Sequence, residues 1–315
     1  MNKDIITIVT PSYNQGRFIE ETVQSVLMQE GNFYIDYIII DGASTDNSAA
    51  VIKKYETLLQ ENCRTIEKAG LKWYTRGERG AKKFRWNNCL GISYRWLSEK
   101  DNGQVDALKK GFRLARGDIY CWLNSDDIYI HPAVLQKVTD YFAKEPGLEL
   151  LCGDGIYIST AGQETGVYRA AKINLKELLF LDYHILQPST FFSKAIYHEK
   201  HLEEQYICAF DAAFFIRHLK NGVRCKKVAE RFSAFRYYED IKTIALRNKK
   251  NRELLTIAGK YTGNFFFIAV SAVYRKAETL LHPFGNVKKG FKYKLFVIVR
   301  RLSYLLVTGR WRRPG

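Results

Sequence analysis

Residues 5–59 repeat one unit twice: a short apolar strand-like run, a polar loop, then an amphipathic helix. Ile5–Thr10 (IITIVT) is rich in β-branched residues, as a strand buried on both faces must be. Pro11-Ser12-Tyr13-Asn14-Gln15-Gly16 ends it, and a helix follows with Ile19, Val23, Val26 and Leu27 on one face. Tyr37–Ile40 is the next strand and closes on Asp41. The loop 42–46 leads into a second helix, striped by Val51, Ile52, Tyr55, Leu58 and Leu59. This alternation predicts an α/β domain with a mainly parallel sheet, right-handed crossovers and helices on its faces.

Residues 60–93 interrupt the rhythm. They hold eight Lys and Arg, two Trp and no clean period, and read as an insertion. The pattern resumes at Trp96–Asp101, with a helix over Gln104–Ala115 and a strand over Ile119–Leu123 that runs into Asn124-Ser125-Asp126-Asp127. A helix around Pro132–Lys144, a strand Leu148–Cys152 and a hairpin turning at Ala161-Gly162 complete the regular part.

The formal net charge of +16 is not spread evenly. Residues 241–315 carry 17 Lys and Arg against only Glu253 and Glu278, whereas the first 240 residues are almost balanced. A nucleic-acid binder would spread the excess over its folded domain, so the charge belongs to an appendage and no nucleic-acid partner is expected. Six scattered cysteines without C-x-x-C spacing, and a charged N-terminus without a secretory pattern, fit free thiols in a reducing cytosol. A Cys63–Cys89 bridge is the alternative to six free thiols. No run of 18 apolar residues predicts a membrane-crossing helix.

Ligands of an open parallel sheet bind outside the carboxyl ends of its strands. Three such ends carry polar groups here: Thr10 to Asn14, Asp41, and Asp126-Asp127. Adjacent carboxylates on a tight turn are hard oxygen donors suited to Mg²⁺ or Mn²⁺ shared with a diphosphate. The alternative is a solvated turn capping the next helix. Neither G-x-x-x-x-G-K-[ST] nor G-x-G-x-x-G follows the first strand, which removes support for P-loop and dinucleotide sites. His198 and His201 lack the spacing of H-E-x-x-H and read as a solvated face rather than a zinc site.

Four segments, TIVTPSYNQGRFIEETVQSVLMQ (7–29), IIIDGASTDNS (38–48), SEKDNGQVDALKKGFRLARGDIYCWLNSDD (98–127) and QPSTFF (187–192), together resemble family 2 glycosyltransferases of GT-A fold. The likeness spans roughly residues 3–245 in the family's order. It implies inverting, metal-dependent transfer from a nucleotide-diphosphate sugar, with a UDP-sugar favoured. By this analogy Thr10, Pro11, Tyr13, Asn14 and Asp41 hold the nucleobase and ribose. Asp101 lines the nucleotide side, and Lys109 or Lys110 approaches the diphosphate. Asp126 and Asp127 match the D-x-D-type metal element, and Gln187 lines the sugar or acceptor pocket. Asp211, in Phe210-Asp211-Ala212-Ala213-Phe214-Phe215-Ile216-Arg217, matches the catalytic base, although an Asp there can also be a plain N-cap.

Departures from the family pattern are informative. Gly42 stands where many members have a second Asp, Asn124 replaces the first acid of D-x-D, and Phe210 precedes Asp211 where an acid is common. No Q-x-x-R-W follows Asp211, which favours addition of a single sugar over processive synthesis. Two other classes compete: a sugar nucleotidyltransferase, and a non-catalytic membrane-surface module using the basic tail.

The expected organisation is a GT-A catalytic domain over 1–245, with the 60–93 insertion, and a helical extension over 246–315. In that extension Phe291, Leu295, Ile298, Val299, Leu302, Leu305 and Leu306 fall at helical spacing. Lys292, Lys294 and Arg301 flank the stripe, and Trp311 lies among Arg310, Arg312 and Arg313. The stripe either packs on the domain or lies on an anionic membrane. The second option places the enzyme peripherally at the inner face of the cell membrane, acting on a saccharide or lipid-linked saccharide.

Overall fold

The computed structural model describes residues 5–76, 89–169, 172–238, 246–281 and 290–310. Two compact units interleave along the chain. The first comprises residues 1–170, 186–204 and 222–238; the second comprises 171–185, 205–221 and 239–315.

The first unit is built on one sheet. Its strands are β1 (Ile5–Ser12), β2 (Tyr34–Asp41), β3 (Cys63–Lys68), β4 (Leu71–Arg76), β5 (Gly91–Ser98), β6 (Ile119–Trp122), β7 (Ile128–Tyr129), β8 (Leu150–Ile158), β9 (Glu164–Tyr168), β10 (Thr190–Ser193) and β11 (Cys225–Arg236). The order is β3-β4-β5-β2-β1-β6-β10-β8-β11-β7, with β9 paired to β8. β5, β2, β1 and β6 are mutually parallel, as the alternation predicts. β10 enters antiparallel between β6 and β8. The expected hairpin is β8–β9.

The helices are α1 (Ile19–Leu27), α2 (Ser48–Asn62), α3 (Gln104–Leu114) and α4 (Val134–Lys144). The stripe residues Ile19, Val23, Val26, Leu27, Ile52 and Leu59 are buried against Ile6, Ile8, Ile35 and Ile39. α3 runs close to β1, and a side chain at Gly111 would collide with Val9. Proline is normally excluded from central strands because it cannot donate to the ladder. Pro11 sits in β1 nonetheless, since β6 pairs only Ile6–Val9 and leaves Pro11 beyond its reach. Asp36 is wholly buried, and Thr7 (2.9 Å), Arg95 (2.5 Å) and the N–H of Arg116 (2.8 Å) satisfy its carboxylate. Buried charge is tolerated only when satisfied in this way.

Within 60–93 the described residues form an antiparallel hairpin, β3–β4, added to the edge of β5. Residues 77–88 lie outside the described residues. β5 starts at Gly91, earlier than the resumption at Trp96, because Ile92 and Tyr94 alternate into the core. All six cysteines are free thiols, so Cys63 and Cys89 are not bridged.

The second unit is helical: α5 (Leu175–Phe180), α6 (Phe210–Lys220), α7 (Arg247–Tyr261), α8 (Phe265–Leu281) and α9 (Phe291–Thr308). Asn174 caps α5 by accepting hydrogen bonds from the N–H groups of Lys176 and Glu177. α5 packs against the other four helices, and the Phe180 and Phe267 rings lie 5.2 Å apart. Asp182, just past α5, accepts hydrogen bonds from Tyr274 of α8 and from Arg300 (2.7 Å) and Tyr304 (2.8 Å) of α9. Among the described residues no helix is long and apolar enough to cross a membrane. Trp311, Arg312 and Arg313 lie outside the described residues.

Candidate active site

The loops after β1 and β2 are stapled together in the first unit. Asn14 adopts a left-handed backbone (φ 52°), which Asn tolerates better than most residues. Its N–H donates to Ser44 Oγ at 2.8 Å, and its side-chain oxygen accepts from the N–H of Thr45 at 2.9 Å. Asp41 is fully buried, and Ser44 Oγ (2.5 Å) and Ser98 Oγ (2.7 Å) donate to its carboxylate. Thr10 is buried and donates to the Tyr37 hydroxyl (3.2 Å), whereas Tyr13 is 60% exposed above this floor. Ser44 and Ser98 escaped the sequence reading, for isolated serines carry no signal of their own.

Gly42 and Asp101 meet here. A Cβ on Gly42 would stand 2.7 Å from Asp101 Oδ2, so the Asp101 carboxylate occupies the space a side chain at 42 would need. That carboxylate comes from the turn that leads into α3. Asp101 Oδ1 also accepts from the N–H of Gly103 at 2.8 Å. Lys109 and Lys110 form ion pairs with Glu204 (2.5 Å) and Glu99 (2.9 Å).

The turn after β6 forms the second cluster. Asn124 donates to Asp127 Oδ2 (3.1 Å) and to Gln187 Oε1 (3.3 Å), and accepts from Gln104 at 2.8 Å. Gln187 in turn donates to the Trp122 carbonyl at 2.6 Å. An amide at 124 can tie one carboxylate and one amide together, which a carboxylate in its place could not do without repelling Asp127. Arg236, fully buried at the end of β11, donates to the Asp126 carbonyl (3.0 Å), and its N–H donates to Asp127 Oδ1 (3.3 Å). It also donates to the Ser159 carbonyl and pairs with Glu21 at 2.6 Å. The Tyr238 hydroxyl donates to Asp126 Oδ2 at 2.9 Å. Arg236 and Tyr238 were missed because they lie 109 or more positions from the aspartates in sequence.

Burial pushes Asp126 above the ordinary carboxylate range, with Tyr238 and Arg236 pulling it back. Burial and then the charge of Asp126 push Asp127 well above that range. A divalent cation would offset both penalties, so this pair of hard donors fits one. Among the described residues no third His, Cys, Asp or Glu joins them. Mg²⁺ commonly accepts so few protein carboxylates and completes its shell with water and phosphate oxygens.

Asp211 belongs to the second unit, in the first turn of α6. It is not the N-cap: Ala209 holds that position, without a side-chain cap. Glu253 of α7 instead fixes the segment leading into α6, its carboxylate accepting from the N–H groups of Ile207 (3.0 Å), Cys208 (2.8 Å) and Ala209 (2.9 Å). Burial pushes Asp211 above the ordinary carboxylate range, while Lys250, the N–H of Ala212 and the Tyr183 hydroxyl draw it down. Raised carboxylates of this kind are frequent among catalytic groups.

Residues 7–73 and 79–221 match the sequence profile of "Glycosyl transferase family 2". The match runs through most of the 60–93 stretch. An uncharacterised glycosyltransferase of Methanocaldococcus jannaschii is 21% identical over 73% of this chain and 70% of its own. One from Mycobacterium tuberculosis is 25% identical over 48% of this chain and 45% of its own, so the chain spans under half of that relative. Staphylococcus aureus TarS (residues 1–349, in complex with UDP) superposes with a TM-score of 0.56 at 13% identity, over 95% of this chain and 86% of that one. The mannosyltransferase PcManGT of Pyrobaculum calidifontis, in complex with GDP-Man and Mn²⁺, superposes with a TM-score of 0.52 at 13% identity, over 96% and 70%. The fold is therefore GT-A, and the chain belongs to glycosyl transferase family 2.

Proposed function

We propose that this glycosyltransferase moves a single sugar from a nucleotide-diphosphate donor, a UDP-sugar in the first instance, to a saccharide or lipid-linked saccharide, with inversion. The observation that carries this reading is the hydrogen-bonded turn after β6, where Asn124 joins Asp127 to Gln187. It joins a carboxylate suited to a hard cation and the Gln187 amide through one hydrogen-bonded side chain, which supports roles for both in donor binding. TarS in complex with UDP and PcManGT in complex with GDP-Man and Mn²⁺ support a nucleotide donor and a divalent ion.

The two loops stapled by Asn14 and Ser44 serve as the floor for base and ribose, with Asp41 fixing their backbone and the half-buried Asp101 supplying a second acid. Asp126 and Asp127 would hold Mn²⁺ or Mg²⁺, which neutralises charge that develops on a departing diphosphate. Gln187 orients the sugar. Asp211 accepts the acceptor hydroxyl's proton as its oxygen bonds to the anomeric carbon and the bond to the diphosphate breaks. A nucleoside diphosphate leaves, and attack from the opposite face inverts the anomeric centre. A base held above the usual carboxylate range takes up that proton more readily than an ordinary aspartate.

On this reading the enzyme works at the inner face of the cell membrane on lipid-linked acceptors for cell-surface polysaccharide, and the basic, apolar-faced C-terminal helices support that assignment. The deciding experiment incubates a panel of nucleotide sugars with Mn²⁺ or Mg²⁺ and follows nucleoside diphosphate release, with and without EDTA. Release of pyrophosphate instead identifies a nucleotidyltransferase, and no release with any donor identifies a non-catalytic module.

A further inference from the structure

More than half of the large apolar side chains exposed among the described residues fall on α8 and α9. On α9, Phe291, Leu295, Ile298, Leu302 and Leu305 follow one another at spacings of four and three, one face of a helix. All five are exposed, Phe291 at 80%. The opposite side of the same helix carries Phe296, Tyr304 and Val307, which are buried. α9 is thus apolar on two faces, and only one of them is used for packing. α8 repeats the arrangement: Val270, Tyr274 and Ala277 are buried, while Phe266, Val273 and Leu280, seven residues apart, are exposed along with Phe265 at 84%.

The two helices pack on each other, with the Tyr274 and Phe296 rings 6.1 Å apart. Asp182 locks the pair by accepting from Tyr274, Arg300 and Tyr304 at once. The apolar faces are therefore presented by a folded, cross-linked pair and need no partner in order to form. An exposed apolar surface on this scale marks an interaction site.

Charge selects the occupant. At 100° per residue Lys292 falls on one border of the α9 stripe, and Lys294 and Arg301 fall on the other. Lys292 and Lys294 are exposed, and no Asp or Glu follows Glu278 in the chain. A stripe bordered on both sides by cations complements an apolar layer beneath anionic headgroups. Long basic side chains bury their stems beside the stripe and keep their heads among the phosphates.

We propose that α8 and α9 form a preformed docking face for an anionic lipid bilayer, lying in its plane with Phe265, Phe266, Phe291 and the α9 stripe in the acyl boundary. This rests on the membrane-surface reading above and supplies its anchor.

The test uses the full chain and vesicles of phosphatidylglycerol with phosphatidylcholine, against phosphatidylcholine alone, at low and high salt. Wild type should sediment with the anionic vesicles at low salt and at least tenfold less at high salt or with neutral vesicles. Phe291→Asp/Leu302→Asp and, separately, Phe265→Asp/Phe266→Asp should each cut binding at least tenfold while far-UV circular dichroism stays unchanged. Wild type that ignores anionic vesicles at low salt, variants that bind like wild type, or a face consumed by dimerisation in size-exclusion chromatography would overturn the proposal. Donor hydrolysis, assayed in parallel without lipid, reports on the transferase reading separately, because none of these residues belongs to the candidate active site.

Discussion

Glu253 accepts a hydrogen bond at 2.9 Å from the backbone N–H of Ala209, two residues before Asp211, and takes the two preceding N–H groups as well. A residue of the C-terminal helices thus fixes the entry to the helix that carries the candidate base. Three donors converge on one buried carboxylate, and glutamine could accept only through its single carbonyl oxygen. Glu253→Gln should destabilise the protein by about 2 kcal/mol, the scale of a charge-assisted bond left unmade, as read from urea unfolding. Turnover should fall with KM for the donor nearly unchanged. A chain cut at residue 245 loses this anchor entirely and should be inactive. Wild-type stability for Glu253→Gln, or an active truncation, would contradict this role.

The metal reading predicts a thermal shift as well as a loss of activity. Mn²⁺ with UDP should raise the Tm of the wild type, because ligand binding to the folded state alone stabilises it. Asp127→Ala removes the more deeply buried donor, and both the Tm shift and sugar transfer should vanish. EDTA should do the same to the wild type. An EDTA-resistant enzyme would dismiss Asp126 and Asp127 as metal ligands.

Gly42 and Asp101 share one space, and that makes a swap experiment possible. Gly42→Asp should weaken donor binding more than tenfold, since the new side chain both collides with Asp101 and repels it. Asp101→Ala added to Gly42→Asp should recover much of that loss by clearing the space and leaving one acid. If Asp101→Ala has no effect alone or in combination, Asp101 does not contribute to the nucleotide site.

Which features were legible in the sequence follows from how local their causes are. Ile5–Thr10, Tyr37–Ile40 and Ile119–Leu123 announce buried strands because apolar runs of that length, rich in β-branched or aromatic residues, have few other uses. The β3–β4 hairpin did not, because at the sheet's edge Arg64, Thr65, Ile66 and Glu67 are all exposed and no alternation survives. The aspartates after β6 were legible as a pair, but their partners Arg236 and Tyr238 are delivered by the register of β11 on β7, which no local pattern encodes. The tail was legible as a helix, yet periodicity alone did not say which side packs. Phe296, Tyr304 and Val307 are buried, and the anticipated stripe faces outward.

The last prediction concerns the ionisation of Asp211. Burial is the largest influence on it and raises its pKa, and the Tyr183 hydroxyl is one of the groups drawing it back. A general base works only when ionised, so kcat should fall on the acid side through a pKa above the ordinary aspartate value of 3.8. Tyr183→Phe removes one stabiliser of the anion, and the acid limb should move to higher pH while the neutral plateau changes little. Asp211→Asn keeps the shape but cannot take the proton, so turnover should drop by about 10²–10⁴ and the acid limb should disappear from what remains. Stability should run the opposite way. A carboxyl whose folded pKa is raised contributes its stability fully below the unfolded value and loses it as pH rises through the folded one. Asp211→Asn should therefore be at least as stable as wild type at neutral pH, and any advantage should shrink as pH falls below the folded pKa of Asp211. An Asn variant with full turnover, or an acid limb unmoved by Tyr183→Phe, would place the base elsewhere, with Asp154 and Asp182 the next carboxylates to test.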